Sequence, residues 1–148
     1  MKEWKMSKKN TIPKIMKKHH YKLEGLLNRI KKSSNEYEVI PKVFNKFKWE
    51  LRKHFVTEEK AIFTLIYKED QEIHEMKDEL LKEHRIILKE LDKIEEDFNN
   101  SEKVNLTDFR NLLIKHRNFE DDTFYPKLDE ELDEVKKKEI IERINTPV

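Results

Sequence analysis

The sequence contains no cysteine, only one glycine and only four prolines in 148 residues. Without cysteine, the chain has no disulfide framework, no thiolate metal site and no thiol nucleophile. Scarce glycine and proline leave few turn-forming positions, and this composition favours an all-helical fold. No apolar run approaches the roughly 18 residues that a transmembrane helix needs. No apolar segment follows the basic N-terminus, so we predict no signal peptide and a cytoplasmic location.

The charges of the chain nearly cancel. Lysine and arginine total 32 and aspartate and glutamate total 31, which gives a formal net charge of +1. No large basic field is present, so we expect neither a nucleic acid nor an anionic membrane as partner. Lysine and glutamate alternate along the chain, as is typical of solvated helical faces. At this length we expect one domain, spanning 1–148, with its own hydrophobic core.

Apolar residues recur at helical spacing in four segments. These segments run from Ile12 to Ile30, from Phe44 to Ile66, from Ile73 to Phe98 and from Phe109 to Glu120. Their short connections favour antiparallel neighbours. We therefore predict an all-α fold: an up-down-up-down antiparallel four-helix bundle over about 12–126, with Pro126 interrupting the fourth helix. An extra C-terminal helix over about 128–145 would pack on this bundle.

One pattern occurs twice in the chain. The segments 47–63 (FKWELRKHFVTEEKAIF) and 109–125 (FRNLLIKHRNFEDDTFY) both place a histidine four residues before a glutamate. His54 with Glu58, and His116 with Glu120, therefore lie one turn apart on one face of a helix. Each pair predicts a two-residue metal ligand.

The helices that precede these segments also match each other. His20 and His84 each begin the pattern His-x2-(Leu/Ile)-x3-Leu-x2-Ile. The neighbouring His19 does not fit this pattern, because Lys22 lies three residues after it. The chain thus repeats a whole helical hairpin, with His20 and His84 in equivalent positions.

Six residues on the apolar stripes form the candidate site: His20, His54, Glu58, His84, His116 and Glu120. Buried carboxylates are costly unless they are paired. Two cations would resolve this cost if the glutamates bridged the ions and each histidine bound one of them. Imidazole with carboxylate suits iron, manganese or zinc, and the absence of thiolate argues against copper(I).

Five other polar residues lie near this pattern. We expect His19 and His74 to lie outside the site. Glu59 and Asp121 follow the two glutamates directly; they either hold an imidazole N–H or face solvent, and we favour solvent. Glu24, one turn after His20, is an additional candidate ligand.

These residues resemble the hemerythrin-like family, also called the HHE cation-binding domain, over about 12–128. The resemblance is carried by His20, HFVTE with His54 and Glu58, EHRII with His84, and HRNFEDDTFYP with His116 and Glu120. It implies a four-helix bundle around a carboxylate-bridged di-iron centre. By this resemblance, His20 and His54 bind one iron, His84 and His116 bind the other, and the two glutamates bridge.

The sequence departs from the oxygen-carrying members of that family. Those carriers have a fifth histidine in the third helix, where this chain has Leu80 and Leu88. They also place an aspartate five residues after the fourth-helix histidine; Asp121 has this spacing, so either Glu120 or Asp121 can be the bridge. The four-histidine, two-glutamate set is similar to microbial members linked to nitric-oxide response and iron–sulfur repair. Those members often carry an N-terminal cysteine-containing segment, which this sequence lacks.

Three functions are consistent with the sequence. The first is a non-haem di-iron protein that binds dioxygen or nitric oxide for sensing, storage or stress protection. The second is a di-iron enzyme for nitric-oxide or peroxide reduction, or a donor of iron for iron–sulfur repair. The third is a metal-free helical interaction module. We predict no catalytic residue and no particular protein partner, and we expect Tyr21, Tyr67 and Tyr125 to be ordinary core or surface tyrosines.

Overall fold

The computed structural model describes residues 11–32, 39–67, 69–100, 104 and 106–146. Its α-helices are α1 (Ile12–Lys32), α2 (Val39–Thr57), α3 (Gln71–Asn99), α4 (Thr107–Phe119), α5 (Tyr125–Glu131) and α6 (Glu134–Asn145). No strand occurs among these residues, so the described part of the chain is all-α, as predicted. None of these helices is long and apolar enough to span a membrane.

Two π-helical turns extend the helices that carry the repeated pattern. The first, Glu58–Ile62, continues α2 and leads into a 3-10 turn at Phe63–Leu65. The second, Glu120–Phe124, joins α4 directly to α5. The prediction that Pro126 interrupts this helix was wrong. Pro126 lies in the first turn of α5, a position where proline is tolerated.

Two of the later helices have an aspartate as their N-cap residue. Asp70 accepts the N–H of Ile73 at 3.0 Å and caps α3. Asp133 accepts the N–H of Lys136 at 2.8 Å and caps α6. Because Leu132 is extended (ψ 140°) and Asp133 starts a new helix, the predicted tail helix over about 128–145 is divided into α5 and α6.

Two apolar clusters fill the interior. The first contains Ile12, Met16, Ile62, Leu80, Leu128 and Ile140, among others. The second contains Leu27, Phe47, Leu51, Ile87, Leu91 and Phe109, among others. Along α1 to α4 and the two π-helical turns, the candidate ligands lie where residues of one cluster give way to residues of the other. The fold therefore encloses one polar layer, formed by the candidate ligands, between two apolar clusters.

Candidate metal centre

The structure brings all six candidate ligands into the polar layer. Their exposed fractions are 4% for His20, 5% for His54, 0% for Glu58, 1% for His84, 3% for His116 and 0% for Glu120. Each of α1 to α4 supplies one histidine, and each π-helical turn supplies one glutamate as its first residue. Side chains from four helices thus converge at one level of the molecule.

The glutamate oxygens face the histidine Nε2 atoms in a crossed arrangement. Oε1 of Glu120 lies 3.2 Å from Nε2 of His20 and 3.3 Å from Nε2 of His116. Oε1 of Glu58 lies 2.9 Å from Nε2 of His54 and 3.5 Å from Nε2 of His84. Each carboxylate therefore faces one histidine of each pair that the resemblance implies.

These six facing atoms have no hydrogen-bond partner among the described residues, although the distances between them are short. A buried polar atom left without a partner costs about 1–3 kcal/mol, so native interiors rarely gather several. The atoms form two overlapping groups within 4.8 Å, one from Glu58, His84, His116 and Glu120 and one from His20, His54 and Glu120. Nitrogen and oxygen atoms grouped in this way fit two cations.

In three of the four imidazoles, the Nδ1 atom, which points away from the centre, contacts a carboxylate. The contacts are His20 Nδ1 to Asp121 Oδ1 at 2.9 Å, His84 Nδ1 to Glu59 Oε2 at 2.9 Å, and His116 Nδ1 to Glu83 Oε1 at 2.7 Å. A carboxylate that accepts the Nδ1–H directs Nε2 toward the centre and makes it a better ligand. These acids therefore orient the candidate ligands.

Our preference for solvent-facing Glu59 and Asp121 was wrong. Each of these acids contacts an imidazole of the other hairpin. Of the adjacent acids Glu120 and Asp121, only Glu120 belongs to the groups of candidate ligand atoms. The π-helical turns place two adjacent acids toward the same layer, and such turns are frequent at functional sites. Glu24 pairs with Arg117 and belongs to neither group of ligand atoms. Sequence reasoning missed Glu83, although its position directly before His84 was a usable signal.

Tyr125 is a further residue at the centre. It is fully buried, and its O–H donates to Oε2 of Glu58 and lies 3.4 Å from Oε2 of Glu120. Burial, followed by the charges of Glu120 and Glu58, raises the pKa of Tyr125 well above its usual value. Its signal in the sequence is that the first copy of the repeat has Phe63 where the second has this phenol.

In the polar layer, the imidazoles and the carboxylates stabilise each other's charged forms. Burial opposes protonation of His20, but Asp121 and Glu120 outweigh it and raise the pKa of His20 to about 9. Burial likewise opposes protonation of His116, yet its carboxylate partners raise its pKa to about 10. Burial would raise the pKa of Glu58, but His54 and the other neighbours hold it well below its usual range. Cations would replace these protons on the imidazoles.

The other two histidines lie outside both groups of ligand atoms. The His19 ring meets the His54 ring edge-on, with 5.6 Å between centroids. Burial, and then the neighbouring His54 and His20, lower the pKa of His19 to about 4. His74 lies in α3, ten positions before His84 and outside the polar layer.

A narrow cavity reaches the centre between α1, α2 and α4. Its inner lining is mainly apolar and includes Leu23, Leu27, Leu51, Phe55, Leu113 and Ile114, and it ends at His20, His54, His116 and Glu120. It leaves about 20 Å³ for the centre of a water-sized molecule, enough for about one such molecule. The paired side chains of Glu24 and Arg117, both partly exposed, also line it.

A family model for the hemerythrin HHE cation-binding domain matches residues 11–128. The matched segment contains the six buried candidate ligands and both π-helical turns, and it ends before α6. Neither the curated proteins nor the solved structures give a significant match to this chain. Because the family model covers most of the sequence, the chain belongs to the hemerythrin HHE cation-binding family.

Proposed function

We propose that this chain is a non-haem di-iron protein that binds dioxygen or nitric oxide for sensing, storage or stress protection. His20 and His54 would hold one iron ion, and His84 and His116 would hold the other, with Glu58 and Glu120 shared between the ions. The observation that carries the proposal is the set of six buried atoms without hydrogen-bond partners that face each other across the polar layer. Iron with carboxylate and imidazole ligands supplies reversible redox chemistry and affinity for diatomic gases.

The ligand set leaves space for a small molecule. Two imidazoles and two shared carboxylates give each ion four protein ligands, whereas an octahedral ion has about six positions. The adjoining cavity has room for about one water-sized molecule. The apolar side chains that line most of it favour a small neutral gas over a charged ligand. Leu80 and Leu88 place no imidazole at the positions of the fifth histidine of oxygen carriers.

The contacts between helices support an up-down-up-down antiparallel bundle. Lys48 in α2 pairs with Glu95 in α3, and one turn later Arg52 pairs with Asp92, which lies earlier in α3. The same reversal of direction occurs between α1 and the segment formed by α4 and its π-helical turn, in the contacts Glu24–Arg117 and His20–Asp121. We propose that this bundle, over about 12–126, and the C-terminal helices form one domain. Such a bundle supplies one inward-facing histidine from each helix.

Tyr125 favours a second candidate function, a di-iron enzyme that reduces nitric oxide or peroxide. Reductions of this kind consume protons, and the O–H of Tyr125 is a buried donor beside both carboxylates. The same centre could instead release iron for iron–sulfur repair. Gas binding without turnover would favour the gas-binding protein. Turnover of nitric oxide or peroxide above that of free iron would favour the enzyme.

The proposal is tested by loading the full chain with iron(II) and measuring its iron content and visible absorption. We expect about two iron ions per chain and a new charge-transfer band when the reduced protein meets dioxygen or nitric oxide. Glu58→Gln, which keeps the shape but removes a shared charge, should lower the iron content and the melting temperature. Glu75→Gln, an exposed change in α3, serves as the control.

Each alternative outcome has a distinct meaning. Two bound ions without a new band for either gas would contradict gas binding. Turnover of nitric oxide or peroxide above that of free iron would favour the enzyme. A chain that binds no metal, with unchanged stability in chelator, would be a helical interaction module.

A further inference from the structure

The acids behind the imidazoles follow the internal repeat of the chain. His20 and His84 are equivalent in the repeat, and so are Asp121 and Glu59. The structure pairs His20 with Asp121 and His84 with Glu59, both at 2.9 Å. Each hairpin therefore supplies the acid that orients the first histidine of the other hairpin.

The second pair of histidines breaks this symmetry. His116 contacts Glu83, the residue directly before His84, at 2.7 Å. The equivalent residue directly before His20 is His19, which meets the ring of His54 edge-on. Nδ1 of His54 is buried and has no hydrogen-bond partner within the described part of the chain. Of the buried side-chain atoms there that lack a partner, it is the one that does not face the centre.

A carboxylate behind a metal-binding imidazole fixes its tautomer, aligns its ring and raises the basicity of Nε2. Removing such an acceptor typically costs about 10–100-fold in metal affinity. Both histidines of the His84–His116 pair have this support, whereas in the His20–His54 pair only His20 has it. The two ion positions thus differ in a property that controls affinity.

We propose that the two ion positions are unequal, that the ion held by His20 and His54 is the more weakly bound, and that His19 sets this difference. The inference rests on the proposed two-iron function. His19 occupies the place where the other half of the site has a carboxylate, so Nδ1 of His54 has no acceptor within the described ranges of the chain. His19 is therefore a positioning residue that acts through His54.

The cavity supports the same assignment independently. It is lined by both His20 and His54, whereas of the other pair only His116 lines it and His84 does not. An ion held by His20 and His54 would therefore have both of its histidines beside the cavity. The weaker position is also the more accessible one, so the ion that binds less tightly is also the one with the open path for exchange.

The test is a stepwise chelator titration of the iron-loaded full chain, with iron content and Mössbauer spectra measured at each step. We expect wild-type protein to lose its ions in two steps, separated by about 10–100-fold in chelator concentration, with a plateau at one iron per chain. Its Mössbauer spectrum should show two different doublets. His19→Glu restores the missing carboxylate, so the first step should move toward the second and the doublets should become more alike.

Two further variants make the titration specific. Tyr21→Glu adds the same charge two positions further along, but the Tyr21 side chain is 66% exposed in the wild type, so this variant should leave both steps in place. Glu83→Gln replaces the carboxylate behind His116 with a neutral amide, which is a weaker acceptor. It should weaken the tighter ion, so the chelator concentrations of the two steps should move closer together. Because Glu83 is partly exposed, this variant still tests the inequality if His19→Glu fails to fold. In that case His19→Gln, whose amide oxygen can accept the Nδ1–H of His54, tests the role of His19 by the same shift of the first step.

The outcomes separate this inference from the proposed function. A wild-type chain that binds no iron would contradict the proposed function itself. A chain that binds two ions and releases them in one step would overturn the inequality and leave the di-iron centre intact. A shift for His19→Glu no larger than that for Tyr21→Glu would overturn the role of His19.

Discussion

Four of the six candidate ligands have a hydrogen-bond partner on the side away from the centre and none, among the described residues, on the side that faces it. In His20, His84 and His116, Nδ1 contacts a carboxylate while Nε2 has no hydrogen-bond partner within the described residues. Glu58 has the same division, because Oε2 accepts from Tyr125 while Oε1 has no hydrogen-bond partner in the part of the chain that the structure describes. Substitutions behind the ligands should therefore change how firmly the centre is held, whereas substitutions of the open atoms should remove it.

Tyr125→Phe tests the first kind of substitution. The change keeps the ring and removes the O–H that Oε2 of Glu58 accepts. In metal-free protein we expect a loss of about 1–3 kcal/mol in the free energy of unfolding, because a buried carboxylate oxygen loses its donor. Urea denaturation measures this loss. Tyr21→Phe, at an exposed position, is the control; an equal effect of both changes would show that the buried contact contributes nothing.

The sequence located the candidate ligands because each of them lies on an apolar stripe and recurs in the repeat. It did not predict Glu83 behind His116 or Tyr125 beside Glu58, because these contacts join residues 33 and 67 positions apart. Local periodicity says which face of a helix is buried. It does not say which residue of a neighbouring helix lies opposite, and that register determines the contacts behind each ligand.

At the scale of elements, local periodicity predicts the helices but not where each of them ends. The four long helices follow from hydrophobic spacing, whereas the π-helical turns at Glu58–Ile62 and Glu120–Phe124 have no periodic signature of their own. The break before α6 depends on a single capping aspartate, Asp133. An apolar stripe that continues across such a cap, as Leu132 to Ile140 does, looks like one helix in the sequence.

The helix α6 closes the first apolar cluster, although it lies beyond the segment that the family model matches. Ile140 is fully buried in that cluster. Ile140→Ala should lower the free energy of unfolding by about 2–5 kcal/mol, because it removes buried methyl groups and leaves a cavity. Ile86→Ala, at a position 52% exposed, is the matched control for thermal and urea denaturation. A comparably small effect at both positions would mean that α6 is not part of the stable core.

At the scale of the whole molecule, the chain is nearly neutral but buries several histidines and glutamates close together. Its positive and negative charges nearly cancel over the whole sequence. The dependence of stability on pH should therefore be dominated by groups whose pKa values change on folding. Those groups are concentrated in the polar layer between the two apolar clusters. The pH profile of metal-free protein therefore reports on the centre.

That profile should have a maximum near pH 6.5, the ordinary pKa of histidine. The folded pKa values of His20 and His116 are raised to about 9 and about 10, so the stability they contribute is complete below pH 6.5. It is lost as the pH rises through these values, because the folded protein must then release protons that it binds more tightly than the unfolded chain. On the acid side, the pKa of His19 is lowered to about 4, so stability falls between pH 6.5 and pH 4.

Urea denaturation of chelator-treated protein from pH 4 to pH 10 measures this profile. In the iron-loaded protein the alkaline decline should disappear, because ions have replaced the protons on His20 and His116 and bind more tightly as competing protons become scarce. Glu83→Gln should weaken the alkaline decline of metal-free protein, since it removes one of the acids that raise the pKa of His116. A metal-free stability that stays level or rises between pH 7 and pH 9 would mean that these imidazoles are not charge-paired in the fold, and the case for a centre that exchanges protons for cations would lose its electrostatic basis.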